Sequence, residues 1–314
     1  MDSIQGSSAV FVANGAPRSD DGTHGSVRQS VEDIGAMSLV IEPDWKPAYI
    51  RRLTNVDRDL IADIPFRNES FSEKFIHLML RGKEVSPGMY LCDASGIIPT
   101  RFYYVFDAKV EPYLPKNPGT HGAKLSAFFN TDIYIVDNPY DNVALFIKQS
   151  DDLHYFGQYN QPRNSDRLGY DTQCERVPDH VKMYWAQKLA DPHRAAWLKA
   201  EMMKHFCPEM RYNGRLPAGK TVTPGGTVLS EVDIEAEKER YWAKAKHELF
   251  NFARRVRSWK EEAEMEVFTT TVEKMLLAFE ATDADETPAL RLWWEYLVCT
   301  GWDAGVYQRL WDLK

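Results

Sequence analysis

LRLWWEYLVCTGWD, residues 290–303, carries apolar residues around nearly its whole circumference, and by periodicity it fits a helix or a strand equally well. We read it as a strand, closed by Asp303 as the cap of a final helix, AGVYQRLWDLK. That choice decides the fold, because as a strand the C-terminus returns to a β core laid down in the middle of the chain.

The core announces itself from Met89 onward. MYLCD, RFYYVFDAKV, AKLSAFF, DIYIV, NVALFIK and LHYFGQY are short, aromatic and β-branched, and the turn-formers ASG, LPKNPGTHG, NPYD and QSDD separate them. In ALFIKQSDDLHYFGQY a four-residue loop, Gln149 to Asp152, joins two strands as a hairpin. Several strands are apolar on both alternating sets, which predicts a sheet covered on both sides or a small barrel with helices outside it.

Helices flank this core. NESFSEKFIHLMLRG predicts one, with Asn68 as cap, a face of Phe71, Phe75, Leu78 and Met79, and Gly82 as its stop. PDHVKMYWAQKLA starts with Pro178 as first helical residue, and DPHRAAWLKAEMMKHF with Asp191 as cap and Pro192 following. Residues 207–231 form a Pro/Gly-rich linker. From Val232 to Glu264, Tyr241, Ala245, Leu249, Phe252, Val256, Trp259 and Ala263 make a heptad-like seam on a charged helix. The helix either lies across its own domain or pairs with a second copy, a homodimer through 232–264. TTVEKMLLAFEA carries Thr270 and Glu273 as a capping box. The domain layout expected is a disordered tail at 1–37, which has no sustained period, then one split domain at 38–314. Its β core is 89–160 and 290–314, and its helical insertion 178–285.

Composition narrows the chemistry. A net charge of −8 in 314 residues argues against a wholly basic nucleic-acid binder but leaves room for a local patch. Cys92, Cys174, Cys207 and Cys299 stand far apart without paired spacing, as free thiols of a reducing compartment do, so cytoplasm or nucleus is expected. No run of about 18 apolar residues predicts a membrane span. Neither C-x-x-C nor H-E-x-x-H spacing occurs, so no metal site is expected; G-x-S-x-G is also missing, and no cofactor is implied.

Two surfaces stand out. In PGTHGAK (118–124), Gly119 and Gly122 are too close for a Walker loop, Leu125 replaces its hydroxyl residue, and a strand follows where a helix should. The loop is either a turn or a recognition loop offering Gly119, His121, Gly122 and Lys124 to a ligand. The hairpin would place His154, Phe156 and Gln158 on one face and Leu153, Tyr155 and Tyr159 on the other, a surface suited to a planar ligand such as a base. The basic run ARRVRSWK is followed at once by EEAEME, which fits neutralisation along a solvated helix.

YLPKNPGTHGAKLSAFFN, VALFIKQSDDLHYFGQY and EYLVCTGWDAGVYQRL together resemble a domain-of-unknown-function family that recurs in fungal, especially mushroom-type, proteins. The resemblance implies one split domain, with Phe146, Tyr155, Gly157 and Tyr159 in the hairpin and Gly301 and Asp303 at the last turn, and implies no activity.

The fold expected is therefore α+β: a small curved mixed or antiparallel β-sheet or open barrel, PUA-like by analogy only, with flanking helices and a long amphipathic helix. The function expected is a non-catalytic binding module, with nucleic acid its most concrete ligand, using the 114–124 loop and the 145–159 hairpin through Gly119, His121, Gly122, Lys124, His154, Tyr155, Gln158 and Tyr159. The alternatives are an enzyme with a site near His121 and Lys124, and a scaffold associating through the 232–264 helix.

Overall fold

The computed structural model describes residues 45–92, 96–130, 140–162, 166–212, 230–282 and 288–314. The chain divides into two units, 1–38 and 39–314, and all described residues belong to the second. The expected strand at 132–136, the tail at 1–37 and most of the 207–231 linker lie outside the described residues.

The strands are β1 (Ser70–Ser72), β2 (Lys83–Ser86), β3 (Met89–Leu91), β4 (Phe102–Asp107), β5 (Gly122–Ser126), β6 (Val143–Gln149), β7 (Asp152–Asn160), β8 (Asp166–Arg167) and β9 (Trp293–Gly301). They form one mixed sheet in the order β2-β3-β4-β6-β7-β9-β5, with β1 on β7 and β8 on β9. The β4–β6 pair is parallel and every other pair antiparallel. The sheet does not close into a barrel. The helices are α1 (Ala48–Arg52), α2 (Glu73–Leu80), α3 (Tyr170–Arg176), α4 (Asp179–Ala190), α5 (Ala196–Phe206), α6 (Glu231–Phe268), α7 (Val272–Glu280) and α8 (Ala304–Asp312), with a short 3-10 turn at Arg58–Ile61. The protein is α+β.

Residues 293–301 are a strand, as read, and Asp303 caps α8 by accepting from the Val306 N–H. β9 joins the two halves of the sheet. Its first half pairs with β5 on one edge and β8 on the other, and its second half with β7. A fully buried glutamine aims the start of this strand. Gln173 Nε2 donates to the Phe279 and Leu290 carbonyls (2.6 and 3.0 Å), and its Oε1 accepts from the Leu292 N–H (2.8 Å). All three bonds are buried, where a missing partner would cost about 1–3 kcal/mol.

Apolar residues cover the sheet on both faces. Phe71, Ile76, Tyr103, Phe146, Leu153 and Tyr155 pack with Val306 and Leu310 of α8 on one side. Tyr104, Leu145, Phe156, Tyr159 and Leu297 pack on the other. A further cluster joins β5 and β9 to α1, α4, α5, α7 and the end of α6 around Trp185 and Phe279. A buried aromatic in such a core contributes about 1.5–3 kcal/mol by its apolar area.

Local details depart from the expected pattern. The hairpin turn is two residues, Ser150 and Asp151, with Ser150 left-handed (φ 61°), because Gln149 and Asp152 already pair in the ladder. Phe146 opposes Tyr155 while Leu145 opposes Gly157, so Phe156 is an extra residue in β7. This bulge rotates the strand and puts Tyr155 and Tyr159 in different clusters, where strict alternation would have paired them. Ser72 caps α2, and Asn68 instead donates its amide to the Tyr155 carbonyl (2.8 Å). Ile76 and Leu80 are the buried face of α2, with Leu78 exposed. Pro178 is the N-cap of α4. Asp191 forms a turn by accepting from the His193 N–H, and α5 begins at Ala196. Thr271, one residue past the expected cap, receives the Lys274 N–H at the start of α7. In α6 the expected seam faces its own chain, with Ala245 and Ala263 buried and Tyr241, Phe252, Val256 and Trp259 half-buried; only Leu249 is exposed.

The crossing of β7 and β9 tolerates no side chain. Gly157 has φ 108°, and a Cβ there would lie 2.5 Å from the Gly301 carbonyl oxygen. Gly157→Ala is expected to cost more than about 3 kcal/mol in urea unfolding. At Gly96, with φ 69° and open space around it, the same change should cost only about 1 kcal/mol of backbone strain.

Candidate functional site

The 118–124 loop is a tight turn that locks into its neighbours. The Thr120 N–H donates to the Asn117 carbonyl at 3.2 Å. Gly119 has φ 79° and sits against Ile61 and Ile64, and at Gly122 a Cβ would meet the Pro115 ring at 2.4 Å. Both glycines are there for close backbone approach.

His121 completes the ladder where β5 stops. Its Nδ1 accepts from the Cys299 N–H (3.0 Å), so the neutral ring carries its proton on Nε2, which donates to the Thr54 carbonyl (2.9 Å). Both nitrogens are engaged, and the imidazole is a pin between β9 and the segment after α1. Tyr159, fully buried, donates its hydroxyl to the Thr120 carbonyl (2.9 Å), so loop, hairpin and last strand do meet. Tyr155 is also fully buried and accepts from Gln158 Nε2 at 3.0 Å. His154, half-buried, lies 3.3 Å from the Asn68 carbonyl. The aromatic ribbon is core, with Leu153, Tyr155, Phe156 and Tyr159 all buried.

Lys124 belongs to a different constellation. It points inward from β5, 6% exposed, and its Nζ lies 2.8 Å from Oε1 of Glu295, its cross-strand partner on β9. The ammonium also stands 5.4 Å from the centre of the Phe106 ring. Glu111, from the turn after β4, is 7% exposed and accepts the Leu125 N–H on Oε2 at 2.9 Å. Glu111 thus feels the charge of the ammonium that Glu295 holds. Burial, opposed by the charge of Lys124 and the Leu125 hydrogen bond and aided by the charge of Glu295, pushes Glu111 up to about 7.

Glu111 and Lys124 border a cavity of about 230 Å³ whose walls include Glu84, Asp107, Tyr90, Tyr184 and Trp185. Lys148, from the hairpin, also lines it but is held by Glu73 at 2.7 Å, and that bond holds Glu73 below the usual carboxylate range. With Lys124 held by Glu295 and Lys148 by Glu73, Glu84 and Asp107 have no ion-pair partner among the described residues, and Glu111 has only the charge of Lys124 nearby. Burial raises the Tyr184 phenol, and the Glu111 charge adds to the effect, so Tyr184 is a neutral donor or acceptor on the wall. A larger cleft of about 630 Å³, between the β2–β3 edge and α4–α5, meets this cavity at Glu84 and Pro87.

Sequence reasoning found Lys124 and missed Glu111 and Glu295. A signal existed for two of the three: Lys124 in GAKLSAFF and Glu295 in LWWEYLV are lone charges inside apolar strands, and such charges are kept when they face each other. Glu111 lies in a proline-flanked turn, and nothing local marks it.

Glu111 has a testable linkage. Its folded pKa, about 7, lies above its ordinary 4.5, so the folded state binds the extra proton between those values. Its contribution to stability is complete below about pH 4.5 and is lost as pH rises through 7, on the order of 3 kcal/mol in total. Relative to Glu111→Gln, the wild-type chain should lose stability over that window in urea titrations, and a flat difference would contradict the assignment.

No curated protein and no solved structure matches the chain. A family model does, over residues 70–313, which takes in the sheet from β1 to β9, the Glu111–Lys124–Glu295 cluster and all but the last residue of the C-terminus. The chain belongs to the family described as Domain of unknown function (DUF6697).

Proposed function

We propose that the protein is a binding module whose ligand is a compact molecule carrying a protonated amine, seated in the 230 Å³ cavity over Glu111. The observation that carries this reading is the buried Glu111 carboxyl, poised near neutrality in a wall that also holds Glu84 and Asp107 without ion-pair partners. An ammonium arriving there replaces the missing countercharge, and Tyr184 and Tyr90 supply apolar flanks with a polar tip. Of the expected residues Lys124 stays at the site, joined by Lys148 of the hairpin, while the ligand moves off the aromatic ribbon. Nucleic acid is the less favoured ligand, because Lys124 is buried in an ion pair and adds nothing to a basic face. The four free thiols, three of them buried, support an intracellular setting.

Amine binding favours the carboxylate, so it expels the Glu111 proton. Putrescine, titrated by calorimetry, should bind more tightly as pH rises from about 6 to 8, releasing a proton seen as a buffer-dependent heat. Succinate should not bind. Glu111→Gln should weaken putrescine by about tenfold or more and abolish the proton release. Binding that ignores both pH and the substitution would reject the site.

The near-neutral carboxyl favours a second reading, an enzyme with Glu111 as general acid or base near Lys124, because a pKa close to ambient pH suits proton transfer. His121 has no part in it, having both nitrogens committed. Mass spectrometry of an amine mixture incubated with the protein tests it: a product formed by the wild type and lost in Glu111→Gln is expected, and unchanged amines reject it.

A further inference from the structure

A second stripe runs along α6 beside the half-buried seam, with Leu249 at the border between them. Spacings of four and three place Glu235, Glu239, Trp242, Lys246, Leu249, Ala253, Arg257 and Lys260 along it, and all eight are exposed. Trp242 is 67% exposed, Leu249 47%, and Phe250, beside them, 68%. Indole and phenyl groups held this open on a helix that already has a buried face are unusual for a solitary surface helix.

The charges on the stripe are polarised. Its first two positions are acidic, its middle holds Trp242, Leu249 and Ala253 with Lys246 among them, and its last two positions are basic. Among the described residues no ion pair engages Glu239, Arg257 or Lys260; Glu235 is held only by the exposed Lys238 on its own helix (3.1 Å). An identical helix laid parallel would set acid against acid and base against base. Laid antiparallel, it fits itself.

We infer that α6 pairs with α6 of a second copy in an antiparallel two-fold arrangement, with a single register. Glu235 of one copy then faces Lys260 of the other, Trp242 faces Ala253, and Lys246 lays its stem against Leu249. Glu239 falls beside Arg257. The large indole opposes the small methyl, and the two charged ends close the apolar middle from both sides. Because the symmetry is two-fold, each contact occurs twice. This surface lies outside the proposed amine cavity and stands whether or not that cavity binds anything.

Sedimentation equilibrium of the full chain at about 100 μM is expected to give twice the chain mass, the dimer weakening with salt. Trp242→Glu should return it to the chain mass with an unchanged circular-dichroism melt. The decisive variants are two charge reversals, Glu235→Lys/Glu239→Lys and Arg257→Glu/Lys260→Glu. Each alone places like charges opposite one another and should be monomeric. Mixed in equal amounts they restore every pair and should form a heterodimer. A wild-type chain that stays monomeric overturns the inference, as does a dimer that neither reversal disturbs or a mixture that fails to associate.

Discussion

The whole sheet depends on one strand that must satisfy its backbone on both edges at once. β9 gives its first half to β5 and β8 and its second half to β7, so it must turn from one set of partners to the other midway. Three devices make that turn affordable. The Gly157–Gly301 approach removes side chains where the strands cross. The bulge between Gln158 and Tyr159 absorbs the extra residue Thr300. His121 takes the Cys299 N–H just where β5 stops supplying partners. Each answers the same constraint, that a buried amide without a partner costs free energy comparable to a lost hydrogen bond.

That geometry also creates the charged interior. Pairing β5 with β9 sets Lys124 opposite Glu295, and the turn after β4 brings Glu111 over the next ladder amide. The cluster carries one cation and two carboxyls, so it is one proton short of neutrality when fully ionised. It resolves this by holding Glu111 close to its titration point. A buried ion pair adds little net stability over an apolar packing of the same volume. Its more telling property is that it leaves a polarised floor beneath a cavity in an otherwise apolar core.

The 118–124 loop looks like a ligand loop for reasons that turn out to be architectural. Glycine at 119 and 122 serves contact with Ile61, Ile64 and Pro115, and the histidine between them spends both nitrogens on backbone groups. The residue types that build a recognition loop also build a close crossing, because both need bare backbone and a side chain that can accept as well as donate. The α6 seam shows the same ambiguity. A heptad pattern reports an apolar face, and the chain's own fold covers that one except at Leu249, while a neighbouring stripe with an acidic start and a basic end stays open.

The order of residues alone determined the α+β class, five of the strands, the strand at 293–301 with Asp303 as its closing cap, and the long helix, since each follows from local period and capping chemistry. Helix starts are legible only to within a few residues: Ser72, Ala195 and Thr271 occupy the cap positions that the sequence pattern assigns to Asn68, Asp191 and Thr270. Tertiary structure decided the rest. Which face each hairpin tyrosine takes depends on a bulge set by β6, and the company of Lys124 depends on Glu295, 171 residues away. Glu111 acquires its character only from burial beside them. Local sequence encodes torsional preference and period, whereas the titration of a carboxyl and the exposure of a ring are properties of neighbours that only folding brings together.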